Sequence, residues 1–138
     1  MVLFARNKRD RLQGFIARVL NNNCPELRAL IEGPRLDGRA NLTLPIIVVP
    51  VEGGRPVVGR AFPALTKDFS GTGISIVLTQ PKRLGDLIVA IRWDGEMYYL
   101  RGEARHLHPL GAGFHQLGVD LREMVYTGDV PSLAGITY

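Results

Sequence analysis

The spacing of hydrophobic residues divides the chain near residue 40 into a leading helical part and a longer strand-rich part. Over residues 8–21, apolar side chains recur at intervals of three and four with polar ones between them, which predicts an amphipathic helix. Pro25 suits the first turn of a second, shorter helix, and Gly33-Pro34 would end it. We therefore expect two short α-helices ahead of the first strand.

Beyond residue 40, apolar residues alternate with polar ones, the spacing of strands that have one buried face. Two dipeptides are typical of tight hairpin turns, Gly53-Gly54 and, more strongly, Asp94-Gly95. A further loop is expected at residues 109–113. Six strands are predicted, over residues 42–52, 55–66, 74–79, 87–93, 97–106 and 117–121. Short strands joined by tight turns indicate a mainly β protein, an antiparallel barrel or sandwich.

Length and composition favour one domain without a membrane span. The chain has 138 residues and is 46% hydrophobic, enough for one core. We expect a helical extension at 1–33, a strand domain at 34–125 and a tail at 126–138. No run of eighteen apolar residues and no signal-peptide pattern is present, and the single cysteine, Cys24, cannot form an internal disulfide. These features predict a cytoplasmic protein.

The positive charge is concentrated at the start of the chain. The formal net charge is +4, and residues 1–39 hold eight basic side chains against four acidic ones, whereas the remaining residues hold nine of each. Attraction for an anion should therefore come from the leading segment. A general DNA or RNA binder would more often spread its basic residues over the folded body, so nucleic acid is not an expected partner.

Two groups of residues predict a site for a phosphate-bearing purine. Arg35 and Arg39 lie four apart, and a guanidinium can both fork onto a phosphate and stack on a purine ring. About thirty residues later comes Asp68, whose carboxylate presents two acceptors to the two adjacent donors of a guanine edge. Ser70 can donate or accept beside it. Gly73 lacks a Cβ, which would allow a sharp turn and close approach of a ligand.

The order and separation of these residues resemble the PilZ domain, the bacterial receptor module for cyclic di-guanylate (c-di-GMP), over residues 34–123. Residues 101–106 and 117–121, joined through a glycine loop, look like the last hairpin of that family. The resemblance implies a six-stranded PilZ-like β-barrel and a receptor that has no catalytic residues and no cofactor. The ligand contacts that it implies are Arg35, Arg39, Asp68, Ser70 and Gly73. Similar proteins that bind a stacked ligand pair tend to have another arginine where this chain has Pro34, which favours one molecule here.

The position of the arginine pair suggests a switching hypothesis. Arg35 and Arg39 precede the first strand, whereas Asp68 to Gly73 belong to the strand domain. A ligand that contacts both would draw the leading segment onto that domain and move the helices, which could signal to a partner protein through a shift in populations.

Each candidate also has a purely structural interpretation. The two arginines would then be solvated loop residues, and Asp68 and Ser70 would bond the backbone of an ordinary turn between strands. The amphipathic helix would serve core packing alone. In a less favoured reading, His106, His108 and His115 would form a three-histidine metal site.

Two other functions stay open. One is an interaction adaptor of the same fold, for pilus or flagellar motility, that needs no ligand; such relatives usually lack the arginine pair. The other is a small RNA-binding barrel, which would need stacking aromatic residues on a strand face, with Tyr99 as the candidate.

Overall fold

We describe the protein from a computed structural model, which covers Phe15 and residues 40–93 and 95–136. Phe15 has helical conformation and its side chain is fully buried in the core. Apart from Phe15, the residues of the two predicted N-terminal helices lie outside the described part of the chain. Arg35 and Arg39 also lie outside it, so the helices and the position of the arginine pair stay predictions. Among the described residues, no helix is long and apolar enough to cross a membrane.

The described residues form one antiparallel sheet of eight strands in the order β1-β4-β5-β8-β7-β6-β2-β3. Because β4 also pairs with β2, six of these strands return on themselves in a closed ring. The predicted antiparallel, mainly β architecture is confirmed, and two short strands are added to the six expected. The strands are β1 (Ala40–Asn41), β2 (Pro45–Glu52), β3 (Arg55–Pro56), β4 (Phe62–Phe69), β5 (Gly73–Leu78), β6 (Asp86–Trp93), β7 (Glu96–Gly111) and β8 (Phe114–Val125).

The main core fills the inside of the ring. Alternation predicts inward positions at Leu87, Val89, Ile91 and Trp93 of β6 and at Leu117, Val119 and Leu121 of β8. All of them are buried in this core except Trp93, which is partly buried against it. Phe69 of β4 and Ile74 of β5 lie opposite each other in register and are fully buried in the same cluster. Burying a side chain of this size contributes about 1.5–3 kcal/mol. The alternation along each strand thus fixes which side chains face inward.

A second, smaller core lies on the outer side of the ring, which the sequence pattern did not predict. Ile88, Ala90 and Tyr99 are buried there against Leu133 and Ile136 of the C-terminal tail. The tail forms a 3₁₀ turn over Pro131–Gly135. The Tyr99 hydroxyl donates a hydrogen bond of 3.2 Å to the Leu133 carbonyl. The expectation that β6 has one buried face is therefore wrong, since the tail covers its other face.

Two connections differ from the predicted ones. The strand expected over residues 55–66 is interrupted by a 3₁₀ turn at Val58–Arg60, which separates β3 from β4. The loop expected over residues 109–113 shrinks to the turn around Ala112, because β7 and β8 continue almost to its tip. Gly111, Ala112 and Gly113 all have positive φ, which lets this turn close within three residues.

The two glycine turns predicted from the sequence form as expected. Gly53 and Gly54 have φ values of 59° and 77°, so the β2–β3 hairpin uses the left-handed region at both central positions. Gly95 has φ of 77° between β6 and β7, while Asp94 lies outside the described residues.

Candidate functional site

The segment that follows the arginine pair is hydrogen-bonded to the strand that carries Asp68. We call residues 40–44 the connector. Its first two residues form β1, with Ala40 opposite Phe69 and Asn41 opposite Asp68. The next residue continues the contact, since the Leu42 amide donates to the Lys67 carbonyl at 3.2 Å. The chain therefore enters the sheet directly beside the end of β4, where Asp68, the first of the predicted guanine contacts, lies.

Thr66 holds the rest of the connector against β4. Its hydroxyl accepts a hydrogen bond from the Leu44 amide at 2.7 Å and donates one to the Leu42 carbonyl at 2.8 Å. Its own amide donates to the Leu44 carbonyl at 2.9 Å. The sequence analysis missed this residue. The available signal was a threonine in an inward position of an apolar strand, because a buried hydroxyl needs hydrogen-bond partners.

A β-bulge determines where Asp68 points. The register of β4 against β5 shifts between Thr66 and Asp68, so that Asp68 pairs with Ser75 and Phe69 pairs with Ile74. Phe69 and Ile74 face the core, which places Asp68 and Ser75 on the outer face of the ring. Bulges commonly re-aim side chains in this way beside functional sites. Asp68 keeps only 7% of its surface exposed.

Ser70 closes the turn between β4 and β5. Its hydroxyl accepts a hydrogen bond from the Gly73 amide at 3.0 Å and lies 3.3 Å from the Gly73 carbonyl, to which it can donate. The Ser70 amide donates to the same carbonyl at 2.8 Å. Ser70 therefore bonds the backbone of the turn, as its purely structural interpretation expects, and its contact with a ligand stays a prediction.

Gly73 is needed for packing between strands. A Cβ at this position would lie 2.5 Å from the carbonyl oxygen of Val119 in β8, closer than side chains can approach backbone. Gly73 does not have positive φ, so the sharp turn that we expected of it is not the reason for a glycine here. The close approach that this glycine allows is that of β8, and the approach of a ligand is untested.

The outer face of β7 and β8 carries paired charges. Three cross-strand ion pairs join Arg101 to Glu123 at 3.1 Å, Arg122 to Glu103 at 2.9 Å and Arg105 to Asp120 at 2.7 Å. The hydrogen bond that Arg105 donates to the Asp120 carboxylate, aided by the charge of Glu103, raises the pKa of Arg105. These arginines are neutralised by neighbouring carboxylates, so this face offers little attraction for a polyanion.

Tyr99 and the histidines do not support the other sites considered. Tyr99 is 6% exposed under the C-terminal tail and cannot present its ring to an RNA base. The rings of His106 and His108 lie 6.0 Å apart. Within residues 40–93 and 95–136, no three His, Cys, Asp or Glu side chains are grouped so as to hold a metal ion. The three-histidine arrangement is therefore not formed.

Comparison with solved structures identifies proteins of similar fold. No protein-family model matches the sequence, and no curated protein matches it. The inhibitor of motility MotI/DgrA of Bacillus subtilis is 17% identical with a TM-score of 0.52, over 73% of this chain and 48% of that one. The PilZ domain of CeSA from a cellulose-synthesizing bacterium is 21% identical with a TM-score of 0.44, over 59% of this chain and 79% of that domain.

These comparisons concern the fold alone. The match spans about half the length of MotI/DgrA, so that protein contains a further part with no counterpart in the alignment. Of these two, MotI/DgrA alone matches with a TM-score above 0.5, and it is a PilZ-fold protein. The resemblance to the PilZ family that the sequence predicts is thus confirmed at the level of the fold.

Proposed function

We propose that this chain is a bacterial receptor for c-di-GMP, acting in the cytoplasm without catalysis. The observation that carries the proposal is the pairing of β1 with β4, in which Ala40 lies opposite Phe69 and Asn41 opposite Asp68. This pairing supports the proposal because the arginine pair is far in sequence from Asp68, Ser70 and Gly73, and the two groups must meet in space to share one ligand.

Covalent geometry links the arginine pair to this edge. Arg39 immediately precedes Ala40, and consecutive Cα atoms are about 3.8 Å apart. Arg35 is four residues further back, at most about 14 Å along the chain. In the proposed complex both guanidinium groups hold the ligand phosphates. The Asp68 carboxylate selects guanine by accepting hydrogen bonds from the two adjacent donors on the guanine edge. Pro34 favours one ligand molecule, following the resemblance noted above.

The proposed output is a change in the position of the leading segment. The connector is already hydrogen-bonded to β4 through Thr66 and the β1 pairing. The proposed ligand-dependent movement therefore takes place before Ala40, in the part of the chain that contains the arginine pair. That movement would be read by a partner protein through the predicted N-terminal helices.

Isothermal titration calorimetry with c-di-GMP tests the receptor function. A charge-assisted hydrogen bond contributes about 1.5–3 kcal/mol, so Arg35→Ala and Arg39→Ala should each weaken binding by about ten- to a hundredfold. Arg92→Ala is the matched control, because this arginine lies on exposed β6 surface outside the proposed site. Unchanged affinity in both arginine variants would reject the site.

An adaptor of the same fold that needs no ligand is the second candidate. It is favoured by Ser70 and Gly73, whose identities are already accounted for by the turn and by packing against Val119. The neighbour MotI/DgrA is itself described as an inhibitor of motility. Absence of calorimetric heat with c-di-GMP, in a protein that is folded by circular dichroism, would favour the adaptor.

A further inference from the structure

An apolar groove runs over the outer face of the sheet, and the described residues that line it do not include Asp68, Ser70 or Gly73. It encloses about 720 Å³, and the residues that line it include Pro45, Ile47, Pro63, Leu65, Val77 and Phe114. Ile47 lies opposite Pro63 and Pro45 opposite Leu65 in the β2–β4 register, so the floor of the groove is continuous across these strands.

Large hydrophobic side chains in and beside the groove are exposed. Leu65 is 48% exposed and Phe114 is 45% exposed. Leu107 and Leu110, on the same hairpin as Phe114, are 36% and 46% exposed. Soluble monomeric proteins rarely expose such residues together, and a contiguous apolar patch commonly marks an interaction surface.

A basic pocket adjoins the groove. It encloses about 430 Å³ and shares Phe62 with the groove. The Lys82 ammonium lies 3.8 Å from the centre of the Phe62 ring, and Arg83 lines the same pocket. Arg60 is also present, but its guanidinium is paired with Glu52 at 3.0 Å. Among the described residues, no ion pair joins Lys82 or Arg83 to a carboxylate, so the pocket that meets the groove at Phe62 holds two cations that no carboxylate neutralises.

We propose that the groove and the basic pocket together bind an amphipathic segment of a partner protein that carries acidic residues beside its apolar ones. Hydrophobic side chains of the segment would fill the groove around Leu65 and Phe114, and its carboxylates would meet Lys82 and Arg83. This mode of recognition places apolar anchors in a groove and lets charge complementarity fix their direction. The proposal does not depend on nucleotide binding.

Shape and charge favour this occupant over two others. The apolar floor is recessed, whereas a lipid surface needs apolar side chains that protrude. A second copy of this chain docked face to face would bring two basic pockets towards each other, which like charge opposes. An acidic segment is attracted to the pocket and matches the concave shape.

Fluorescence anisotropy with two synthetic helical peptides tests the proposal on the full chain. Both peptides have the same leucine spacing, and their polar positions are glutamate in one and lysine in the other. The acidic peptide should bind at least about tenfold more tightly, and its affinity should fall as salt is raised, because salt screens exposed charges. Equal affinity for both peptides, or no binding of either, would overturn the proposal.

Variants assign the binding to this surface. Lys82→Glu and Arg83→Glu should each weaken the acidic peptide about tenfold, and Leu65→Ser and Phe114→Ser should weaken both peptides. Arg92→Glu and Tyr126→Ser are the controls, because they change an exposed cation and an exposed aromatic residue that line neither cavity. Wild-type affinity in Lys82→Glu would contradict the role of the pocket.

Two further measurements test the alternative occupants. In the first, the protein is sedimented with phosphatidylglycerol vesicles. If the wild-type protein sediments with the vesicles and Leu65→Ser does not, the proposal is overturned in favour of a lipid surface. Sedimentation-velocity analysis showing a dimer that Leu65→Ser dissociates would overturn it in favour of self-association. A monomer that does not bind vesicles, with the peptide preferences given above, would support the proposal.

Discussion

At Gly73, the requirement for glycine comes from a neighbouring strand, and this can be tested by adding one methyl group. Because a Cβ would lie 2.5 Å from the Val119 carbonyl, Gly73→Ala must push β5 and β8 apart. Overpacking of this kind costs about 1–3 kcal/mol, which urea unfolding should reveal. Gly128→Ala is the control, since nothing lies within 4 Å of the added Cβ there. A wild-type midpoint for Gly73→Ala would refute this account.

Thr66 gives a second test at the residue scale. Thr66→Val keeps the shape of the side chain but leaves the Leu44 amide and the Leu42 carbonyl without their hydroxyl partner. Unmet hydrogen bonds in partly buried positions should lower the free energy of unfolding by about 1–3 kcal/mol. The Leu44 amide should also exchange faster with deuterium. Thr66→Ser retains the hydroxyl and should restore slow exchange; equally fast exchange in both variants would contradict the role of the hydroxyl.

The C-terminal tail is the element whose packing the sequence left undetermined. Leu133 is fully buried against the outer face of the ring, and Tyr99 donates to its carbonyl. Leu133→Ala should therefore destabilise the fold by about 2–5 kcal/mol, the usual cost of emptying a buried leucine site. Thermal unfolding measures this, with Ser132→Ala as the exposed neighbour control. A Leu133→Ala midpoint equal to that of the control would show that the tail does not stabilise the ring.

Strands with local alternation were predicted well, and features set by distant contacts were not. The inward positions of β8 follow directly from a period of two, because one face meets the core. Burial of Ile88 and Ala90 depends on Leu133 and Ile136 of the tail, which lie far along the chain and which no local pattern reveals. Pro109 and Gly111 suggested a loop, yet β7 extends to this exposed hairpin end, where strands tolerate such residues.

In the candidate site, too, features set by neighbouring residues could be predicted, whereas features set by contacts between strands could not. The positions of Asp68, Ser70 and Gly73 at the β4–β5 turn could be expected from the sequence. The bulge that directs Asp68 outward and the pairing of Asn41 with Asp68 could not, because both depend on register between strands. Arg35 and Arg39 lie outside the described residues, so their meeting with Asp68 remains a prediction.

Across the whole molecule, the connector is where the described chain becomes attached to the ring, and under the proposed function the position of the residues before it depends on ligand. From Ala40 onward, the β1 pairing and the Thr66 hydrogen bonds attach the chain to the ring. A ligand held by Arg35, Arg39 and Asp68 would extend that attachment backwards past residue 40. The ligand can hold the leading segment against β4 only to the extent that it binds that state more tightly than the state in which the segment is away from β4.

Hydrogen exchange followed by mass spectrometry tests this coupling. Saturating c-di-GMP should slow exchange in residues 1–39, because those residues would be held against β4, and should leave the amides of β6 and β8 nearly unchanged. At a hundredfold excess over Kd, the ligand should also stabilise the folded chain by about 2.7 kcal/mol. Arg39→Ala, measured at the same ligand concentration, should lose both effects, while Arg92→Ala should keep them. Tight calorimetric binding with identical exchange in residues 1–39 would mean that the chain is a receptor whose signal does not pass through its leading segment.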